Sequence, residues 1–256
     1  MGKVIGVINQ KGGVAKTTTV NAMSHYLAKQ GYKVLAVDFD PQGNLTSSFG
    51  IVIGAGEYPG ALKFLNVLKM DSGYLTEINE KLDLITSDIN LEEANKILTS
   101  KFMRELYLKK AIDAIRDKYD YILIDSSPSL SILTINVLVA SDEVLIPTKA
   151  EHLSVKGIEL LLETVNEVKD SLKPDLKING FLITMFDSRR KSTDYTLEWM
   201  DRLAKQAGTK VFKTKIRLSV KIAELSNGAK NIAELNSEFL SDYQDFIKEF
   251  TEEEKI

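Results

Sequence analysis

Lys3-Val4-Ile5-Gly6-Val7-Ile8-Asn9-Gln10-Lys11-Gly12-Gly13-Val14-Ala15-Lys16-Thr17-Thr18 is the stretch whose reading decides the fold. Its first half is apolar without polar alternation, as a strand buried on both faces should be. A glycine turn follows, and a helix begins at Lys16-Thr17. Strand, glycine turn, Lys-Thr and helix together form a cradle for phosphate. Glycines let backbone N–H groups turn inward on an anion, and the helix N-terminus adds its positive dipole end. Gly12, Gly13, Val14 and Ala15 supply the cradle's backbone. Lys16 is placed to meet the β- and γ-phosphates of ATP, Thr17 to complete the shell of a Mg²⁺ ion, and Thr18 to reach the α-phosphate.

The common pattern G-x-x-x-x-G-K-[ST] is not met, because Gln10 and Ala15 stand where its two glycines belong. The chain reads K-G-G-x-x-K-T-T instead, and its additional lysine, Lys11, marks the deviant Walker A loops. The methyl group of Ala15 restricts the loop or narrows the approach of phosphate, which bears on turnover more than on binding.

Beyond the loop, short β-rich runs alternate with amphipathic helical stretches, the pattern of βαβ units and a mostly parallel sheet with helices on both faces. Strands are expected at Lys3–Asn9, Lys33–Asp38, Leu82–Ser87, Tyr121–Asp125, Glu143–Pro147, Lys177–Met185 and near Lys210–Phe212. Thr17–Gln30 reads as a helix with Val20, Met23 and Leu27 on one face, stopping at Gly31. Ser154–Leu172 reads as another, closed by Pro174. The aromatic stripe Phe239, Tyr243, Phe246 and Phe250 reads as core packing of a last helix. Gly50–Gly60, with four glycines and one proline, reads as an excursion between elements.

A chain of 256 residues accommodates such a sheet as one domain, 1–256. The formal charge of -3 makes the whole molecule no electrostatic magnet for nucleic acid or membrane, so any such contact needs a local patch. The absence of cysteine excludes disulfides, thiolate zinc sites and a cysteine-held iron–sulfur cluster. The N-terminal residues lack the pattern of a secretory leader, and Gly6 stands where a myristoylation signal wants Ser or Thr. No run of about 18 apolar residues is present. The cytoplasm is the expected compartment.

Asp38 and Asp40 end the second strand at the carboxyl edge, where open α/β sheets bind ligands. A carboxylate there can orient a water for in-line attack on a γ-phosphate. Asp125 closes the apolar strand Tyr121–Ile124 in the position of a Walker B acid, which holds Mg²⁺ directly or through water. His25, in a helix, and His152, in a loop, read as structural.

Val7-Ile8-Asn9-Gln10-Lys11-Gly12-Gly13-Val14-Ala15-Lys16-Thr17-Thr18-Thr19 and Val37-Asp38-Phe39-Asp40-Pro41-Gln42-Gly43-Asn44 resemble the ParA family of DNA-partitioning ATPases. Tyr121 to Leu130 and Ile183 to Arg189 continue the match, in the family's order. The resemblance is to members without an N-terminal DNA-binding extension. It implies that Asp40 positions the water, that Asp38 lies near the Mg²⁺ shell, and that Lys11 reaches the phosphates of a partner subunit in an ATP-dependent homodimer. It further implies a weak, partner-stimulated ATPase that binds non-specific double-stranded DNA and acts with a ParB-like centromere-binding protein in plasmid or chromosome partition, associated with the nucleoid.

Other families share the double-lysine loop. Nitrogenase iron proteins need cysteine, which is absent, and MinD-type proteins end in a basic membrane helix, whereas this chain ends in the acidic Glu249–Ile256. Tyrosine-kinase relatives carry a tyrosine-rich tail, and no tyrosine follows Tyr243. DNA contact requires a basic surface, for which Arg189, Arg190 and Lys191, then Lys215, Arg217 and Lys221, are the candidates, with Lys210, Lys213 and Lys230 near them. Arg189 and Arg217 align with basic residues that the family uses on DNA, although the family's proline before the second basic region is not evident here. A positioning ATPase that localises a protein complex without binding DNA is the alternative, and an ATP-switched adaptor with negligible turnover is a third.

Overall fold

The computed structural model describes residues 1–54, 60–66, 72–151, 155–187, 193–218 and 238–253. In chain order the strands are β1 (Lys3–Val7), β2 (Val34–Phe39), β3 (Thr76–Asn79), β4 (Leu82–Ile85), β5 (Tyr121–Ser126), β6 (Glu143–Lys149), β7 (Lys177–Phe186) and β8 (Val211–Arg217). The helices are α1 (Lys16–Lys29), α2 (Asn44–Ser48), α3 (Gly60–Asn66), α4 (Glu92–Thr99), α5 (Tyr107–Asp113), α6 (Ile132–Ala140), α7 (Val155–Ser171), α8 (Thr193–Gln206) and α9 (Glu238–Glu253). The strands form one sheet in the order β3-β4-β2-β5-β1-β6-β7-β8. Every pairing is parallel except that of β3 with β4.

The apolar strands bury both faces, and alternate residues feed two separate cores. Leu35, Val37, Ile122 and Ile124 point into a layer shared with α6, α7 and α8. Ile5, Val7, Val34, Ala36 and Leu123 point the other way, against Val20, Met23 and Leu27 of α1 and Tyr243, Phe246 and Phe250 of α9. Tyr243, Phe246 and Phe250 of the aromatic stripe are therefore core, as their spacing predicts, with Phe246 edge-on to Phe212 of β8 at 4.9 Å, while the side chain of Phe239 lies outside those described.

The sheet has an edge that the sequence conceals. β3 pairs antiparallel with β4 and alternates half-buried with exposed residues, so its composition carries no apolar signal. At the other edge, β8 runs to Arg217, beyond the expected Phe212, because alternate lysines mask a strand that buries only Phe212 and Ile216. Its outward N–H groups are capped by side chains of α9: Glu249 accepts from Lys213 and Thr214 at 2.8 and 2.9 Å, and Asp242 from Arg217 at 2.9 Å. Carboxylates thus close an edge that would otherwise template another strand. Part of the Gly50–Gly60 excursion, residues 55–59, lies outside the described residues, and α3 begins at its last glycine.

His25 of α1 stacks on Phe49 with ring centroids 5.1 Å apart, and its buried Nε2 has no hydrogen-bond partner among the described residues. Burial pushes its pKa down to about 4 from 6.5. On acidification the unfolded chain takes up this proton before the folded one does. Stability is therefore complete above the unfolded value and falls as pH drops from 6.5 to about 4. At about 1.4 kcal/mol per unit, the full loss is about 3.5 kcal/mol. Urea unfolding at pH 7.5 and 4.5 should show that the parent loses about 2.5 kcal/mol more than His25→Phe, which cannot titrate there; parallel losses would reject a buried neutral imidazole.

Candidate functional site

The carboxyl ends of β1, β2 and β5 meet because β5 lies between the other two, with Val7 level with Asp125 and Asp38 level with Asp125. The glycine turn leaves β1 and delivers Lys16 into α1 above this line. Asn9 anchors the turn: its amide nitrogen donates to the Pro147 carbonyl at 2.8 Å, and its Oδ1 accepts from the Lys11 N–H at 2.9 Å. Thr184 of β7 donates to the Val14 carbonyl at 3.0 Å. Gly13 takes φ 67° and Ala15 φ 62°, so the residue that breaks the common pattern holds the left-handed conformation that a glycine would favour.

Lys16 is buried, and desolvation lowers its pKa against the pull of Asp125 and Asp40. Thr17 Oγ1 donates to Asp125 Oδ2 at 2.7 Å. Asp125 is fully buried, and its other oxygen has no hydrogen-bond partner among the described residues. Burial, with the neighbouring Asp38 charge, pushes its carboxyl up to about 8. Asp38 is equally buried, and its carboxyl is pushed up to about 7 by burial, against hydrogen bonds from Thr46 and Asp40. Its Oδ2 accepts from both the N–H and the hydroxyl of Thr46 at 2.7 Å, and its Oδ1 accepts from the Asp40 N–H at 3.3 Å. Asp38 spends both oxygens within the chain; Asp125 keeps one.

Asp40 lines a cleft together with Gly13, Lys16, Thr18, Pro128 and Met185. Burial raises its pKa, while the Gln42 N–H and Lys16 oppose the shift. The turn after it is enforced by Gly43 at φ 62°, where a Cβ would sit 2.7 Å from the Ser87 carbonyl. α2 can therefore start at Asn44 and bring Thr46 back to Asp38.

The orphan oxygen of Asp125, next to the Thr17 hydroxyl, suits a hard cation such as Mg²⁺, which takes few protein ligands and completes its shell with phosphate and water. Among the described residues no group of three or more His, Cys, Asp or Glu side chains forms a metal cage.

Lys11, expected to reach across to a partner, makes an ion pair within its own chain, with Glu151 Oε2 at 2.8 Å. Lys149 brings its ammonium within 4.0 Å of the place a Gly13 Cβ would take. Neither Glu151 nor Lys149 is signalled by the sequence, since Lys149 ends β6 and Glu151 follows it with no motif around them. Met185, the last residue of the expected strand and the next to last of β7, takes φ 50° beside the cleft.

Of the basic candidates, Lys215 and Arg217 are on β8. Lys215 lies over the Phe186 ring at 4.8 Å, and Arg217 is held by Asp242 through Nη2–Oδ1 at 2.8 Å and Nε–Oδ2 at 3.0 Å. Phe186 pairs with Arg217, so the ends of β7 and β8 adjoin. Arg189, Arg190, Lys191, Lys221 and Lys230 lie outside the described residues, as does His152. No helix among the described residues is long and apolar enough to cross a membrane.

Residues 2–178 match the family described as AAA domain. The chain is 41% identical over 236 residues to the sporulation initiation inhibitor protein Soj of Bacillus subtilis, covering 91% of this chain and 90% of that protein. The chromosome-partitioning ATPase Soj of Treponema pallidum is 41% identical over 227 residues, covering 88% and 86%. The chromosome partitioning protein ParA of Myxococcus xanthus is 36% identical over 235 residues, covering 91% and 81%. The chain belongs to the Soj/ParA family of partitioning ATPases. Among solved structures, McdA of Cyanothece in an ATP complex superposes with a TM-score of 0.87 at 26% identity, covering 98% of this chain and 96% of that one. A structure described as cobyrinic acid a,c-diamide synthase from Mycobacterium smegmatis, with bound ATP analogue and magnesium, gives 0.82 at 32% identity, covering 97% and 93%. The family resemblance and the P-loop fold expected from the glycine turn both hold.

The buried carboxyls make the ligand-free site a source of instability. Asp125 has a folded pKa above its unfolded value, so it costs stability as pH rises through about 8. Asp125→Asn should stabilise the metal-free protein by about 2 kcal/mol at pH 8.5. Denaturant unfolding without divalent ions checks this, and a variant less stable than the parent would contradict the placement.

Proposed function

We propose that the chain is a Mg²⁺-dependent ATPase that dimerises on ATP, binds DNA without sequence preference and drives plasmid or chromosome partition with a ParB-like partner. The observation that carries the reading is the convergence of Lys16, Thr17, Asp40 and Asp125 at the ends of β1, β2 and β5. The relatives named as partitioning proteins support the cellular role.

In this reading the N–H groups of residues 12–18 cradle the phosphates and Lys16 neutralises the β- and γ-oxygens. Thr17 and Asp125 would hold a Mg²⁺ ion, which would supply further neutralisation of phosphate charge. Asp38, level with Asp125 on the neighbouring strand, would act on that ion through its charge. Asp40 orients a water in line with the γ-phosphate, since phosphoryl transfer asks the protein mainly for position and charge. Lys11 leaves Glu151 and reaches the partner's phosphates when two subunits close. Closure joins the basic ends of β7 and β8 from both subunits, so nucleotide controls DNA residence. The setting is the cytoplasm, on the nucleoid.

Asp40→Ala should retain Mg·ATP and lose turnover, accumulating a dimer. Phosphate release measured beside sedimentation tests this; hydrolysis at the parental rate removes Asp40 from the water.

The Arg217–Asp242 ion pair favours a second reading, in which this edge is structural and the ATPase positions a protein complex without touching DNA. Lys215→Glu with Arg217→Glu separates the two. A dimer loses four cationic contacts, so the slope of log affinity against log salt should flatten by roughly three to four units, at about 0.9 per contact. Fluorescence anisotropy of a labelled duplex at several salt concentrations, with ATP and with ADP, reads the slope. No DNA binding by the parent in either state hands the function to the second reading.

A further inference from the structure

We propose that Tyr243 of α9 is a positioning residue of the phosphate loop, holding Ala15 in its left-handed conformation through Thr19; this rests on reading that loop as the nucleotide site. Ala15 has φ 62° and ψ 31°. An L-residue with a Cβ disfavours that region by roughly five- to thirty-fold in population. The loop nevertheless depends on it, because Ala15 is the hinge between the glycine turn and the first turn of α1.

Ala15 is held from its carbonyl side. Its oxygen accepts two bonds from Thr19, one from the N–H at 2.9 Å and one from Oγ1 at 2.7 Å. The Thr19 hydroxyl thereby gives its proton to Ala15. In the 3.0 Å contact between Thr19 Oγ1 and the Tyr243 hydroxyl, the donor must then be Tyr243. Thr19 and Tyr243 are both fully buried, so solvent does not compete for this relay. Donation from Tyr243 polarises the Thr19 hydroxyl and strengthens its bond to the strained residue.

The hydroxyl comes from a firmly seated helix. One residue before it, Asp242 grips Arg217 of β8, and two turns later Glu249 caps Lys213 and Thr214. The neighbouring members of the stripe, Phe246 and Phe250, pack without a polar atom. Tyr243 alone among these three carries a hydroxyl to α1. Core packing explains its ring; the relay to Ala15 explains its oxygen.

Tyr243→Phe removes that one oxygen and keeps the ring. Only the fraction of molecules with a competent loop binds, so affinity for labelled Mg·ATP should fall about tenfold. In the Ala15→Gly background the same substitution should change affinity by less than about twofold, because glycine holds the left-handed region unaided. Amide hydrogen exchange at Thr19 in nucleotide-free protein should quicken about tenfold in Tyr243→Phe, and not in Tyr243→Phe combined with Ala15→Gly. Equal losses in both backgrounds would make Tyr243 a packing residue and overturn the proposal, as would unchanged affinity and exchange in Tyr243→Phe. A parent that binds no Mg·ATP defeats the nucleotide reading, while the exchange rates still decide the role of Tyr243.

Discussion

The parallel register of β1, β5 and β2 is the constraint on which the rest of the molecule depends. It sets Val7, Asp125 and Asp38 side by side at one level of the sheet. The loop leaving β1 and the turn leaving β2 consequently open onto the same few ångströms. Three carboxyls and one ammonium are then buried together, and burial drives each toward its neutral form. Such a cluster is costly without a ligand, and its cost must be offset by the two apolar layers on either face of the sheet. A cation and polyphosphate are the natural complement of that arrangement.

Helix α9 is the second organising element, and it works through polar atoms as much as through its aromatic face. Glu249 and Asp242 close the edge of β8, and Tyr243 reaches the first turn of α1. One helix therefore touches the sheet edge bearing Arg217 and the residue that steadies the phosphate loop. Sheet protection, basic edge and nucleotide loop are tied by residues 242, 243 and 249.

Lys11 shows how a motif and its geometry can differ. The double-lysine loop implies a contact between subunits, yet in the single chain the ammonium is satisfied by Glu151 at 2.8 Å. An exposed or half-exposed ion pair of this kind is worth about 1 kcal/mol or less. In the proposed dimer a partner's polyphosphate, carrying several charges, would outcompete a single carboxylate. An ion pair that weak leaves Lys11 able to exchange partners, as the proposed dimer requires.

By itself the sequence determined the strand–loop–helix cradle, the two acidic strand ends and the alternation of buried strands with amphipathic helices, because each is written in contiguous residues with a fixed local period. That Lys16, Thr17, Asp40 and Asp125 stand together at the carboxyl ends of β1, β2 and β5 is legible for that reason. The edge strand β3 and the full length of β8 were not, since one face of each meets solvent and its polar alternation resembles a loop. Glu151, Lys149 and the Tyr243 hydroxyl were decided only by the tertiary structure: their partners lie 140, 136 and 224 positions away. Ala15 belongs to both levels. Its departure from glycine is visible in the chain, but that it stays left-handed, and what holds it there, depends on a helix from the other end of the molecule packing against α1.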